Sequence, residues 1–539
     1  MAVGKAVVRF LVVILLASSG VASAATGGAS STLEALATRL ADPKTQDQAL
    51  RELQEVADPA VEALVRALKD GALYRFQGRL VILGDDGGLR DVAGQAVAGE
   101  LASGQEAIGL DEKLFGVVQR LLERLEVLSP DRNVRRGAAL KLGNAGDLAA
   151  LPLLTRARER ETDPSVRAVL DEALAKLRLA SPDPAARITA VQYLGDLKSE
   201  AALPRLRAML TSDPDPGVRQ AVKAAIDRIE VHLTIRGAVG YAFNGVSLGA
   251  VLLIMSLGLA VTFGLMGIIN MAHGEMLMIG SYTAYVVQEV VARHWPAHQD
   301  YYFFVALPLS FIVAGLVGLA LELGVIRFLY GRPLETLIVT WGIGMIFQQG
   351  ARLWFGDQTS VNSPTWFRGG IEPLAGLIFP WSRIFIVALA LAALGALWLL
   401  LNHTYAGLRV QAVMQNRAMA SCLGVSTRRV DAVTFALGTA LAGVAGCALA
   451  LIGTVDPEVG KTYIVDSFMV VVLGGVGKLL GTVVASFGIG IANKLLEPAI
   501  GGTASAVYAK VLVLLIVILF LQSRPTGLFP QRGRAAEAA

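Results

Sequence analysis

From Val239 onward, long apolar runs alternate with short polar breaks; before it, apolar and charged positions alternate at helical spacing. The apolar runs predict membrane-spanning helices near 242–264, 274–292, 302–326, 335–354, 381–402, 431–453, 465–478, 479–497 and 505–522. Each is close to the roughly 20 residues that cross a bilayer, the seventh being short. Nine spans are expected, with eight or ten left open. The predicted fold class is all-α: a polytopic transmembrane helical bundle behind a soluble helical domain.

The soluble stretch, about 30–230, repeats itself. Leu142-Gly143 recurs as Leu194-Gly195, Leu151-Pro152 as Leu203-Pro204, Arg135 as Arg187, and Val166-Arg167 as Val218-Arg219, always 52 residues on. A fixed offset over four landmarks signals a repeat architecture. Asp-Pro steps at Asp163-Pro164, Asp183-Pro184 and Asp213-Pro214 offer an N-cap followed by proline in the first turn. This stretch resembles HEAT-like repeats, an α-solenoid whose surface suits a macromolecular partner. A generic bundle with one duplicated segment is the alternative.

Charge sharpens the division. Residues 1–235 hold 30 Lys+Arg and 31 Asp+Glu, whereas 236–539 hold 18 and 13. Mean hydropathy is +0.56 and hydrophobic residues make up 54%, which favours a membrane protein. The basic excess fits cytoplasmic loops, not nucleic-acid binding. Lys5 and Arg9, an apolar run at 10–16 and Ala22-Ser23-Ala24 read as a secretory signal peptide cleaved after Ala24. The expected domains are therefore 1–24 signal peptide, 25–235 extracytoplasmic repeat domain, 236–530 membrane domain and 531–539 cytoplasmic tail. Arginines at 327, 332, 409, 417, 428, 429, 524, 532 and 534 and Lys478 fall inside on this topology. Arg293, Arg368, Arg383 and Lys461 fall outside, a bias in the required direction.

Two cysteines, Cys422 and Cys447, make neither a disulfide framework nor a metal site. Gly477-Lys478 is no P-loop, since Val472 stands where the first glycine belongs and Leu479 follows the lysine. With no other such motif, catalytic residues, cofactors and metals are not expected, and any ATP hydrolysis belongs to another chain. The polar break Asn270-Met271-Ala272-His273-Gly274-Glu275 reads either as a pathway or gate element or as a cytoplasmic turn. Asn244 either lines the pathway or bonds a neighbouring helix. Small residues over 438–446 suit close helix packing, within the chain or against a partner. The largest inner loop, 403–430, predicts a short amphipathic helix over 411–423 with Gly424 as its left-handed cap.

Here a resemblance becomes specific. The segment from Met414 to Val425, with Gln415, Asn416, Arg417, Ala418 and Gly424, looks like the coupling helix of permeases in the branched-chain amino acid and urea ABC importer family. Asn244-Gly245, the Asn270–Glu275 signature, Arg332-Pro333-Leu334 and Arg524-Pro525-Thr526-Gly527-Leu528-Phe529 match that family's other motifs in order, over about 240–530. Thr340-Trp341-Gly342 and the long N-terminal domain lean toward its urea permeases; Lys478 departs from the family pattern. The resemblance implies an inner-membrane permease subunit, most readily for urea, alternatively for branched-chain amino acids. It also implies a second related permease subunit, cytoplasmic ABC ATPases, an extracytoplasmic solute-binding protein and a small neutral or zwitterionic solute. A secondary transporter or channel would need no coupling helix, and a membrane-anchored scaffold would need fewer spans.

Overall fold

A computed structural model describes residues 35–529 apart from 43–44, 54–58, 78, 85–87, 93–94, 100–106, 111 and 375. The expected signal peptide and C-terminal tail lie outside the described residues. The chain divides into two compact units, Met1–Leu233 and Thr234–Ala539.

The first unit begins with α1 (Gln46–Leu53) and α2 (Pro59–Lys69). An antiparallel meander follows, with β1 (Leu73–Phe76), β2 (Arg79–Leu83), β3 (Leu89–Asp91) and β4 (Ala96–Val97) paired in chain order. This sheet departs from the helix expected throughout 30–230. Its signal is local: two short β-rich runs flank Gln77-Gly78, and Gln77 takes φ 48°. One core joins Leu50, Leu64 and Leu68 to Leu73 and Leu121.

Beyond α3 (Phe115–Leu125) the 52-residue repeat becomes physical. Helices α4 (Arg132–Ala145), α5 (Leu151–Arg160) and α6 (Pro164–Arg178) are repeated as α7 (Pro184–Leu197), α8 (Leu203–Ser212) and the start of α9 (Pro216–Met266). In the first copy Arg135 grips Glu161 at 2.7 and 3.0 Å and the carbonyls of Ser129 and Pro130 at 2.9 Å. In the second, Arg187 grips Asp213 at 2.9 and 3.0 Å and the carbonyls of Ser181 and Pro182 at 3.0 Å. The hydrogen-bonded Arg135 guanidinium holds the Glu161 carboxyl below its ordinary range against the opposing effect of burial. Asp163 and Asp183 cap their helices with proline in the first turn, as the spacing predicts. Asp213 does not: Arg187 takes its carboxylate, and Asp215 caps the next helix through Val218 N–H.

In the second unit helices stand at all nine expected positions. They are the later part of α9, α10 (His273–His294), α11 (Tyr302–Gly324), α12 (Pro333–Phe355) and α13 (Trp381–His403). After the inner loop come α16 (Thr427–Leu449), α17 (Val459–Gly474), α18 (Leu479–Ile500) and α19 (Ser505–Ser523). Among the described residues, six helices are long and apolar enough to cross a membrane unaided. These are the helices at the first, third, fifth, sixth, eighth and ninth positions. Helix α9 continues unbroken through residue 235.

The loops gather at two ends. At one, Tyr330, Arg417, Gly264, Gly477, Leu473 and Leu528 are joined by contact, Leu528 N–H donating to Leu473 O at 2.8 Å. At the other, Thr365 bonds Asp300 at 3.0 Å, Asn362 bonds Gln288 at 2.7 Å, and β5 (Thr359–Ser360) pairs with β8 (Thr454–Val455). A hairpin of β6 (Gly370–Leu374) and β7 (Leu377–Pro380) also lies there, with Phe379 stacked on Phe243 near the start of the membrane part of α9, 3.9 Å between ring centres.

Helix α16 is the centre. Gly438 meets Gly258, Gly443 meets Gly280, Ser310 and Ala314, and Gly446 meets the Leu277 carbonyl. The small-residue face at 438–446 thus packs within the chain.

Glycine supplies the test of the repeat. A Cβ on Gly143 would lie 2.8 Å from Ala173 Cα, and one on Gly195 would lie 2.9 Å from Ala225 Cβ, whereas Gly137 has open space. Gly143→Ala and Gly195→Ala are expected to destabilise the first unit by about 1–3 kcal/mol each. Gly137→Ala, inside α4, is expected to stabilise it by about 0.5–1 kcal/mol. Limited proteolysis of the intact chain over a denaturant series reads the order, which reverses if the repeat packing is misdescribed.

Candidate functional site

The inner loop holds two short helices where one is expected over 411–423. Helix α14 (Tyr405–Gln415) ends at Asn416, which turns extended (φ −156°, ψ 100°) and caps α15 (Arg417–Cys422) by accepting from Met419 N–H at 2.9 Å. The reason is chemical: an asparagine side chain bonds a backbone N–H two or three residues on and so competes with helix continuation. Thr404 begins α14 in the same manner, accepting from Gly407 N–H at 3.1 Å. Gly424 sits at φ +85°. Val425 N–H bonds Ala420 O at 3.0 Å and Gly424 N–H bonds Ser421 O at 3.0 Å. This pair of bonds is the Schellman cap, in which a left-handed glycine satisfies the last carbonyls.

Below, Val410, Val413 and Ala420 are buried against Met266, Leu401 and Val430, seating the loop on α9, α13 and α16. Above, Gln415, Asn416, Ala418 and Gly424 are exposed, as are Leu408, Met419 and Leu423, the last 78% exposed. These three apolar side chains stand in the open on an otherwise polar loop.

Arg417 is half-buried and held in place. Its guanidinium ion-pairs with Asp431, fully buried at the start of α16, and lies 4.7 Å over the Tyr330 ring. The sequence reading missed both partners: Asp431 is 14 residues away and Tyr330 sits in another inner loop.

The break after α9 is exposed at Gly267 and buried at its polar positions. Gly267 turns at φ +62°, residues 267–270 are unwound, and α10 begins at His273. Asn270, His273 and Glu275 are at most 3% exposed. Asn270 Oδ1 accepts from Ala272 N–H at 3.0 Å, and Met271 N–H donates to Thr340 Oγ1 at 3.1 Å. His273 Nε2 lies 3.2 Å from Met255 O, so it carries the ring proton. Gln348 Nε2 donates to Glu275 Oε1 at 2.7 Å, tying α10 to α12. Gly274 packs on the Gly460 backbone at the start of α17. Asn270 Nδ2, His273 Nδ1 and Glu275 Oε2 are buried with no partner among the described residues. Each such orphan costs about 1–3 kcal/mol. The four residues from 270 to 275 are thus brought together, with Thr340, Gln348 and Gly460 as neighbours the sequence reading did not join to them. Asn244 is half-buried and stands apart on α9, 11 helical residues before Met255, whose carbonyl His273 meets, a rise of about 17 Å.

A multi-helix membrane bundle with a capped, exposed inner loop and no nucleotide motif of its own is the build of a permease component of an ABC importer. A family model described as branched-chain amino acid transport system / permease component matches residues 241–521, and the chain belongs to that family. A HEAT-repeat model matches residues 171–227. The high-affinity branched-chain amino acid transport system permease protein LivH of Salmonella typhimurium is 30% identical over 296 residues, 53% of this chain and 93% of its own. The permease protein BraD of the corresponding system in Pseudomonas aeruginosa is 28% identical over 291 residues, with the same coverage of each chain. LivH of Escherichia coli strain K12 is 30% identical over 296 residues, again 53% and 93%. No solved structure matches significantly. In such importers the ATPase activity lies in a separate subunit, and this chain is the membrane component. The names of these relatives lend the urea reading no support.

The Arg417 pair makes a prediction. Arg417→Glu sets a second carboxylate against buried Asp431; with Arg417 itself 41% exposed, solvent screens the pair and the cost is about 1–3 kcal/mol. Membrane levels and thermal stability in detergent are expected to fall. The double variant Arg417→Gln/Asp431→Asn is expected to recover most of both. Normal stability of Arg417→Glu would show that the pair carries nothing.

Proposed function

We propose that this chain is one of two related permease subunits forming an import pathway for branched-chain or similar apolar amino acids. A cytoplasmic ATPase pulls on α14–α15, and an extracytoplasmic binding protein delivers the solute. The observation that carries the reading is the inner loop: a rigid, doubly capped pair of short helices, seated on three membrane helices, with Leu408, Met419 and Leu423 facing outward. A groove-bearing motor can grip such a loop and move α9, α13 and α16 together. The solute class rests on the relatives' names, and the urea reading is not carried forward.

The buried break at 270–275 supplies the gate. Irregular backbone and unpaired polar atoms within a membrane bundle are retained where they meet a solute or a water-filled path. Glu275 and the backbone around Gly274 offer polar partners to a zwitterion in a state that opens α10 from α12 or α17.

The start of the membrane part of α9 shares an end with β7, opposite the inner loop. We therefore assign the first unit to the extracytoplasmic side. Cys422 is exposed and Cys447 buried, so the native thiol reports orientation. A membrane-impermeant maleimide is expected to label Cys422 in inverted vesicles stripped of ATPase and not in intact cells. Labelling from outside would reverse the topology.

Two transport experiments follow. Deleting the chain is expected to abolish high-affinity leucine uptake and spare urea uptake; the opposite pattern overturns the assignment. Gly424→Val forces a β-branched residue to φ +85° into open space, so the cost is backbone strain of about 1–2 kcal/mol, without a clash. Normal membrane levels, weakened ATPase recovery in a pull-down and reduced uptake are expected. Full recruitment and uptake would mean that the loop is a passive connector.

A further inference from the structure

Beside the inner loop, and partly lined by α14, lies a groove of about 780 Å³. Its lining is mixed: buried Ala260 and Val261 of α9 form the floor, and Leu480 of α18 with Leu528 and Phe529 supply exposed apolar surface. Gln411 and Met414 of α14 form one rim, and Lys478 stands on the other. Gln411 Nε2 donates one of its two hydrogens to Leu401 O at 2.8 Å, and Asn402 Nδ2 one of its two to Trp398 O at 2.9 Å. Lys478 is exposed and has no ion pair or side-chain hydrogen bond among the described residues. No acidic side chain lines the groove among the described residues.

We propose that this groove binds an anionic phospholipid of the inner leaflet, its phosphate at Lys478 and its acyl chain along α9 and α18. Charge selects the headgroup: one unopposed cation, with no acidic neighbour in the lining, attracts an anion. The exposed apolar lining selects a lipid over free phosphate or nucleotide, which would leave Leu480, Leu528 and Phe529 wet. Location agrees, because Lys478 caps the inner end of α18, where a snorkelling amine meets headgroups. The inference rests on the membrane orientation given above. Because Gln411 and Met414 share the rim, a bound lipid would brace α14 from the side away from the motor, making the seating of the coupling loop responsive to inner-leaflet charge.

The test reads lipid directly and does not depend on transport. The intact importer complex is placed in nanodiscs of equal phosphatidylglycerol and phosphatidylcholine, then released for native mass spectrometry. Wild type and Lys478→Arg are expected to retain phosphatidylglycerol with about fivefold preference. Lys478→Gln is expected to fall to parity, and Arg293→Gln, an exposed cation near the opposite end of the bundle, to behave as wild type. The proposal is overturned if Lys478→Gln keeps the preference, if wild type retains both lipids equally, or if Arg293→Gln loses as much. It is also overturned if a photo-crosslinker at residue 480 captures a partner subunit instead of lipid. Leucine uptake measured on the same variants reports separately on the permease reading.

Discussion

Backbone contact between helices at glycine holds the membrane unit in register. Lipid tails are as apolar as leucine, so nothing like the hydrophobic effect drives one membrane helix against another. Close packing must supply the attraction, and α16 achieves it by presenting Gly438, Gly443 and Gly446 to α9, α10 and α11. The same intimacy explains the buried polar break. With α10 pressed on α16 and on the Gly460 backbone, neither lipid nor cytosol reaches Glu275, and Gln348 is left to bond one of its two oxygens. A chain able to bury a half-satisfied carboxylate in this place has a core dense enough to tolerate it.

The inner loop shows how local chemistry and tertiary seating divide the work. Thr404, Asn416 and Gly424 determine where its helices start, break and stop, each through bonds to backbone within a few residues. Seating is tertiary: Val410, Val413 and Ala420 face inward, and Arg417 reaches the buried Asp431. Helix ends are thus fixed by capping and the loop's angle by burial, which is why a variant of Gly424 and a variant of Arg417 are expected to fail in different ways.

Much of the architecture was legible in the sequence. Nine apolar runs became nine helices, six of them long and apolar enough among the described residues to cross a bilayer unaided. The 52-residue offset became a repeat because Arg135 and Arg187 solve the same problem with the same geometry. What was not legible shares one cause, dependence on partners distant in sequence. Nothing around Arg417 announces Asp431 or Tyr330, and nothing around Glu275 announces Gln348, 73 residues on. Asp213 was misread as a cap because the competing claim of Arg187 is tertiary. The meander at 73–97 is the exception: its turn and its β-rich runs are local, and helical periodicity on either side masked them.

Helix α17 has a further consequence. Its 16 residues rise about 24 Å, short of the roughly 30 Å hydrocarbon layer. The missing length is made up by the turn at 450–458, where Val455 is buried and paired to Thr359, so non-helical backbone is carried below the level at which lipid would permit it. Along this column the insulating layer is therefore thinner than the surrounding bilayer. A solute entering beside α17 would leave water late, and the stretch over which it must shed its hydration shell would be correspondingly brief.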